Sequence, residues 1–204
     1  MKKERIVFIG DSITEWGKTD DFREIGDNYV RMIRDYYATS KGYVPEIINK
    51  GIGGNRITDL QARWQEDVID LQPDILSISI GINDVWRQLD ASDMDQVTPD
   101  VFEEIYHTLI RRTLEETNAQ IILMDPTVIE EDAESKGNQL LKPYLEIVEV
   151  MSKTYQLPRV KTHEAFLDYI ERGLELPLTI DGVHTTSTGD TLMAKTWIET
   201  ILSK

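Results

Sequence analysis

Apolar residues come in short uninterrupted runs at Arg5–Ile9, Ile47–Asn49, Ile75–Ile80, Ile121–Met124 and Leu157–Val160, each followed by a turn signal. Runs of this length, rich in Ile, Val and Leu and without alternation, predict five strands buried on both faces. Four stretches between the runs carry helical spacing instead. Asp27–Ala38 places Tyr29, Ile33, Tyr36 and Tyr37 on one side, and Val101–Glu116 does so with Ile105, Leu109 and Leu114. Gln139–Thr154 repeats the pattern with Tyr144, Ile147, Val148 and Met151; Arg63–Leu71 is shorter, and Thr188–Leu202 closes the chain. Strand alternating with helix predicts a parallel sheet with helices on both faces, because parallel neighbours need crossover connections. The expected fold is therefore α/β, a three-layer α/β/α sandwich with a five-stranded, fully parallel, flavodoxin-like sheet. Asp90–Pro99 is the one long polar connection anticipated, an ordinary solvated loop or a lid.

Length and composition narrow this picture. With 204 residues, 40% hydrophobic and 29% charged, the chain suits one domain spanning 1–204 with a packed core. It has no cysteine, so a disulfide framework, a thiolate nucleophile and cysteine-ligated zinc are excluded. The net charge of −15 disfavours nucleic acid and anionic membrane surfaces, both of which select basic patches. No segment approaches the roughly 20 apolar residues of a membrane span. The run Ile6–Ile9 is too short for the apolar core of a signal peptide, so a cytoplasmic location is the default expectation. Self-association into a homo-oligomer is compatible with all of this.

In open parallel sheets ligands gather beyond the carboxyl ends of the strands, so the residues after each strand carry the chemistry. The first run leads into Gly10-Asp11-Ser12-Ile13-Thr14, placing a serine at a tight strand-to-helix turn. Taken alone, Ser12 reads as a helix cap. The second leads into Asn49-Lys50-Gly51-Ile52-Gly53-Gly54-Asn55-Arg56, whose glycines permit close backbone approach; the segment lacks the ending of a phosphate-binding loop. The third leads into Gly81-Ile82-Asn83-Asp84-Val85-Trp86-Arg87, where Asn83 by itself reads as a turn residue. The fourth notable junction is Asp181-Gly182-Val183-His184, a carboxylate and an imidazole three residues apart before the last helix.

Together these residue types meet the needs of acyl transfer. A serine hydroxyl requires a base such as histidine, which titrates near neutrality. A carboxylate fixes that base's tautomer, and N–H donors must meet the oxyanion. Ser12 is then the nucleophile, His184 the base and Asp181 its orienting partner, with the Ser12 and Gly54 N–H groups and the Asn83 amide as oxyanion donors. Of the three histidines, His107 falls within an amphipathic helix and reads as structural. His163, just past the fifth strand, is the runner-up base but has no carboxylate three residues earlier.

The four ordered blocks resemble the SGNH hydrolases, the GDSL-like lipase and acylhydrolase family, over nearly the whole chain. Gly10–Ser12 is similar to the nucleophile block, Asn49–Gly54 to the block carrying the oxyanion glycine, Gly81–Asp84 to the Gly-x-Asn-Asp block and Asp181–His184 to the Asp-x-x-His block. Ile13 departs from the family's leucine, and Thr185 stands where proline often follows. The segment Asn49–Asp70 and Gly81–Gln88 look particularly like bacterial acetyl xylan esterases of the family. The resemblance implies a short-chain carboxylic ester hydrolase without cofactor or metal, acting on an acetylated saccharide. Trp16, Trp86, Ile180 and Arg56 are candidate substrate contacts. The alternatives are a lysophospholipase or acyl thioesterase of the same family, a carbohydrate-binding module without catalysis, and a metal-dependent phosphoesterase recruiting Asp11, Asn83, Asp84 and His184.

Overall fold

The computed structural model describes residues 3–202. The elements follow in the order β1 (Arg5–Gly10), α1 (Ser12–Glu15), α2 (Tyr29–Tyr36), β2 (Glu46–Gly51), α3 (Ile57–Trp64), β3 (Ile75–Ser79) and α4 (Ile82–Asp90). Then come α5 (Pro99–Glu116), β4 (Gln120–Met124), α6 (Lys136–Tyr155), β5 (Arg159–Val160), α7 (Thr162–Glu171) and α8 (Ser187–Leu202). The sheet runs β2-β1-β3-β4-β5 with every pair parallel. The order reverses at β1, so the crevice at its carboxyl end, beside β3, is the switch point where open α/β sheets bind ligands.

The sheet is covered on both faces, as uninterrupted apolar strands require. All five residues of β3 are buried. On one face Phe8 meets Tyr29 of α2 and Trp197 of α8, ring centroids 6.0 and 5.8 Å away. The Trp197 indole N–H donates to Ser77 Oγ at 3.1 Å, which supplies the one polar atom of mid-β3 with a partner. On the other side α3 packs on α5 and α5 on α6, and the buried Trp64 indole donates to Thr113 Oγ1 at 3.1 Å. Partnered indoles of this kind let large rings fill a core without stranding a donor.

Five strands and a fully parallel sheet agree with the apolar pattern. Three features differ from it. The helix expected at Arg63–Leu71 begins at Ile57, because Asp59 accepts the Arg56 N–H at 2.7 Å and Asp84 accepts the Ile57 N–H at 3.1 Å, so the start is capped from within and from a neighbour. The stretch from Ile82 is a helix rather than a turn; Gly81 precedes it at φ +128°, and Ile82, Asn83, Asp84 and Val85 are all buried. Helix α7 was not anticipated, nor were the long connections 125–135 and 172–186, which carry their own hydrogen bonds instead of a run of turn residues.

At the short edge strand β5, Arg159 forks onto Asp125 at 2.7 and 3.0 Å and also reaches Glu149. Burial pushes the Asp125 carboxyl up to about 6, against the pull of Arg159. Arg159→Ala should therefore cost about 3 kcal/mol near pH 8, where a buried charge loses its partner, and less at pH 5, where Asp125 can keep its proton. Urea denaturation at the two pH values checks this; equal losses at both would contradict it.

Candidate active site

Ser12 begins α1, and the cap of that helix is Asp11, whose Oδ1 accepts the Ile13 N–H at 3.0 Å. With the capping role filled by its neighbour, the Ser12 hydroxyl is free to face the sheet edge. Its Oγ lies 2.9 Å from His184 Nε2, a contact spanning 172 positions of sequence. His184 Nδ1 lies 2.7 Å from Asp181 Oδ2. The other oxygen, Asp181 Oδ1, accepts the N–H groups of Val183 and His184 at 3.1 and 2.8 Å. Burial pushes the Asp181 carboxyl up, but these hydrogen bonds and the adjacent imidazole outweigh it and hold the group below the usual carboxylate range.

The turn carrying Asp181 and His184 is closed on itself and tied down from outside. Ile180 N–H donates to His184 O at 2.7 Å, and Thr179 bridges to Thr185. Glu130 N–H donates to Gly182 O at 2.7 Å, while the Glu131 carboxylate accepts from Leu178 N–H, Thr179 N–H and the Thr179 hydroxyl at 2.7–2.9 Å. Thr185, where proline often follows in the family, donates its hydroxyl to Asp190 at 2.7 Å and so anchors the turn to α8.

Gly54 follows β2 in the left-handed region at φ +77°, exposed, with open space where a side chain would point. Its N–H has no partner among the described residues. Asn83 lies in the first turn of α4, buried, and its Nδ2 donates to Asn55 O at 3.2 Å, one residue past Gly54. An amide nitrogen carries two hydrogens, so that bond orients the group and leaves one donor over. Ser12, Gly54 and Asn83 thus arrive from the ends of β1, β2 and β3.

The other histidines do not join this group. His163 is buried in α7 with Nδ1 on Thr127 O, and burial lowers its pKa. His107 pairs with the Tyr155 hydroxyl at 2.9 Å. The rings of Trp16 and Trp86 stand 5.3 and 5.7 Å from the His184 ring; Trp16 is 42% and Ile180 60% exposed. Arg56 turns its guanidinium onto Asp95 O at 2.6 Å, which pins the 91–98 connection and occupies one end of the group expected to meet substrate.

Arg63 was missed by sequence reading. Its guanidinium donates to Gly10 O, Lys50 O, Asn55 Oδ1 and Asp67, at 2.6–3.0 Å, tying the ends of β1 and β2 to the glycine loop. Five planar donors make arginine suited to such a hub. The signal available was position alone, in the last turn of the helix that follows the glycine loop.

Residues 8–192 match the GDSL-like Lipase/Acylhydrolase family, and the chain belongs to it. It has the SGNH hydrolase fold and is a carboxylic ester hydrolase. An acetylxylan esterase of Geobacillus stearothermophilus is 33% identical over 210 residues, covering 97% of this chain and 94% of that protein. Solved structures of that organism's Axe2 align over 98% of this chain and 95% of theirs; a catalytic mutant superposes with TM-score 0.90 at 32% identity. In the three catalytic mutants of Axe2 an aspartate, a serine or a histidine is replaced by alanine, the aspartate lying three residues before the histidine. LAE5, an alpha/beta hydrolase enzyme from the metagenome of Lake Arreo, superposes with TM-score 0.89 at 30% identity over the same shares.

Two buried carboxyls underlie the site. Asp11 and Asp84 are both fully enclosed, and burial pushes each up to about 7. Asp84 Oδ2 has no hydrogen-bond partner among the described residues. A group that ionises near 7 when folded but near its ordinary 3.8 when unfolded lets the folded state keep a proton the unfolded chain has lost. Stability therefore declines as pH rises between those values, and the full penalty stands above about 7. Asp84→Asn keeps the acceptor for Ile57 N–H and removes the charge. Its melting-temperature advantage over the parent should be small at pH 5 and grow to several degrees by pH 8; scanning calorimetry showing a gap that does not widen with pH would contradict this.

Proposed function

We propose that Ser12, His184 and Asp181 act as nucleophile, base and orienting acid of an esterase that removes acetyl groups from xylo-oligosaccharides or similar acetylated sugars. The observation that carries the reading is the unbroken hydrogen-bond chain from Ser12 Oγ through the imidazole to Asp181, at 2.9 and 2.7 Å. The serine, aspartate and histidine altered in the Axe2 catalytic mutants, with the same three-residue spacing, support it.

Ser12 Oγ attacks the ester carbonyl carbon while His184 Nε2 takes its proton, and Asp181 stabilises the imidazolium so formed. Charge gathers on the carbonyl oxygen, which meets Ser12 N–H at the open first turn of α1, Gly54 N–H and the spare Asn83 amide hydrogen. Collapse breaks the bond to the sugar oxygen, which leaves with the proton from His184. Water, deprotonated by the same imidazole, then releases acetate from Ser12. The two tryptophans beside His184 narrow the space around the acyl group, which favours short acyl chains. The exposed Trp16 ring suits stacking against a sugar.

Acetate release from acetylated xylo-oligosaccharides, set beside a p-nitrophenyl ester series of rising length, tests the substrate. Acetyl should be best, and a maximum at eight carbons or longer would contradict the assignment. Ser12→Ala should abolish turnover in a folded protein. Asn83→Ala should lower kcat by about 10²–10³ with little change in KM, the mark of a contact made mainly in the transition state. Asn83→Asp should be at least as damaging, since it replaces a donor with an acceptor; an active Asn83→Asp enzyme removes Asn83 from the oxyanion hole.

A further inference from the structure

The donor proposed at Gly54 sits on a weak piece of chain. Gly53 and Gly54 are consecutive glycines, both exposed, and glycine has more backbone freedom to lose than any other residue. An oxyanion donor is effective only when it is already aimed, because misplacement of about 1 Å can cost on the order of 10² in rate. Something must hold the loop against the nucleophile. On its far side the loop is held by Asn55, which takes hydrogen bonds from Arg63 and Asn83. On its near side the Gly53 N–H donates to Glu15 Oε2 at 2.6 Å.

Glu15 lies three residues past Ser12 in the single turn of α1, so the two side chains share a face. The bond to Gly53 therefore ties the glycine loop to the same rigid turn that carries the attacking oxygen. The approach is close: a side chain built at Gly53 would put its Cβ 3.0 Å from Glu15 Oε2 and 3.9 Å from Ser12 Cβ. At Gly51 a Cβ would lie 2.6 Å from the Thr14 carbonyl carbon, so the chain is pressed onto α1 at Gly51 as well as at Gly53.

We propose that Glu15 is a positioning residue for the esterase reaction, its carboxylate holding the Gly53 N–H so that the spacing between Ser12 Oγ and the Gly54 N–H is set before substrate arrives. The inference rests on the reading of Gly54 as an oxyanion donor. What Glu15 supplies is an acceptor at a given reach, and this separates three substitutions. Glu15→Gln keeps the acceptor and loses the charge; Glu15→Asp keeps the charge and loses the reach; Glu15→Ala loses both.

Steady-state kinetics on an acetyl ester, with melting temperatures measured alongside, provide the test. Glu15→Ala and Glu15→Asp should each lower kcat about tenfold, the scale of one charge-assisted hydrogen bond only partly expressed in the barrier. KM should stay within about twofold, the signature of an interaction lost in the transition state. Glu15→Gln should recover most of kcat. A merely structural role predicts changes in melting temperature without this division. Unchanged kcat in Glu15→Ala would overturn the inference, as would recovery by Asp and not by Gln. Asn83→Ala serves as the reference: if it is slow while Glu15→Ala is not, only the Glu15 assignment falls, and if both are fully active the oxyanion reading itself falls.

Discussion

The 2.9 Å contact between His184 Nε2 and Ser12 Oγ joins the first strand-end turn to the last loop before α8, and most of the surrounding structure acts to keep those two atoms together. Neither residue is held by its own helix interior. Ser12 stands at the mouth of a four-residue turn, and His184 lies on a loop that the Thr179–Thr185 bridge and the Ile180 N–H to His184 O bond close on itself. Loops held this way tend toward mobility unless their backbone groups are tied to a scaffold. The ties are specific: Glu131 and Glu130 grip the histidine loop, Thr185 reaches Asp190, and Asp11 caps α1.

The parallel sheet supplies the scaffold. Because β1, β2 and β3 all point the same way, their carboxyl ends deliver Ser12, Gly54 and Asn83 to one edge. The same packing buries Asp11 and Asp84, whose carboxyls rise to about 7. Asp84 gives one oxygen to the start of α3, while the other has no partner among the described residues. Such a group costs stability above neutral pH, yet it fastens α3 and α4 to each other beside the glycine loop. Local cost beside a site held in order by it is a recurrent pattern in enzymes.

The strands were legible because uninterrupted runs such as Ile75–Ile80 have few other uses in a chain this polar. The candidate catalytic side chains were legible because acyl transfer demands a small set of residue types, and Asp181 and His184 stand close together in the chain. What escaped was relational. Helix α4 was hidden because Asn83 and Asp84 favour turns as isolated residues, while here their side chains serve partners at 55 and 57. Arg63 and Glu15 look like ordinary charged surface positions until the glycine loop folds between them. Arg56, a candidate substrate contact by sequence, also reaches Asp95 O, a contact that depends on the path of a loop forty residues away.

The central claim is that Ser12 is a nucleophile activated by His184, and covalent capture tests it most directly. A fluorophosphonate requires an activated oxygen to displace fluoride, so an inert surface serine does not react. Mass spectrometry of the inactivated enzyme should show one adduct per chain, on the peptide containing Ser12, growing in step with loss of esterase activity and greatly slowed in His184→Ala. Loss of activity with the adduct on another residue, or full activity with Ser12 modified, would contradict the account.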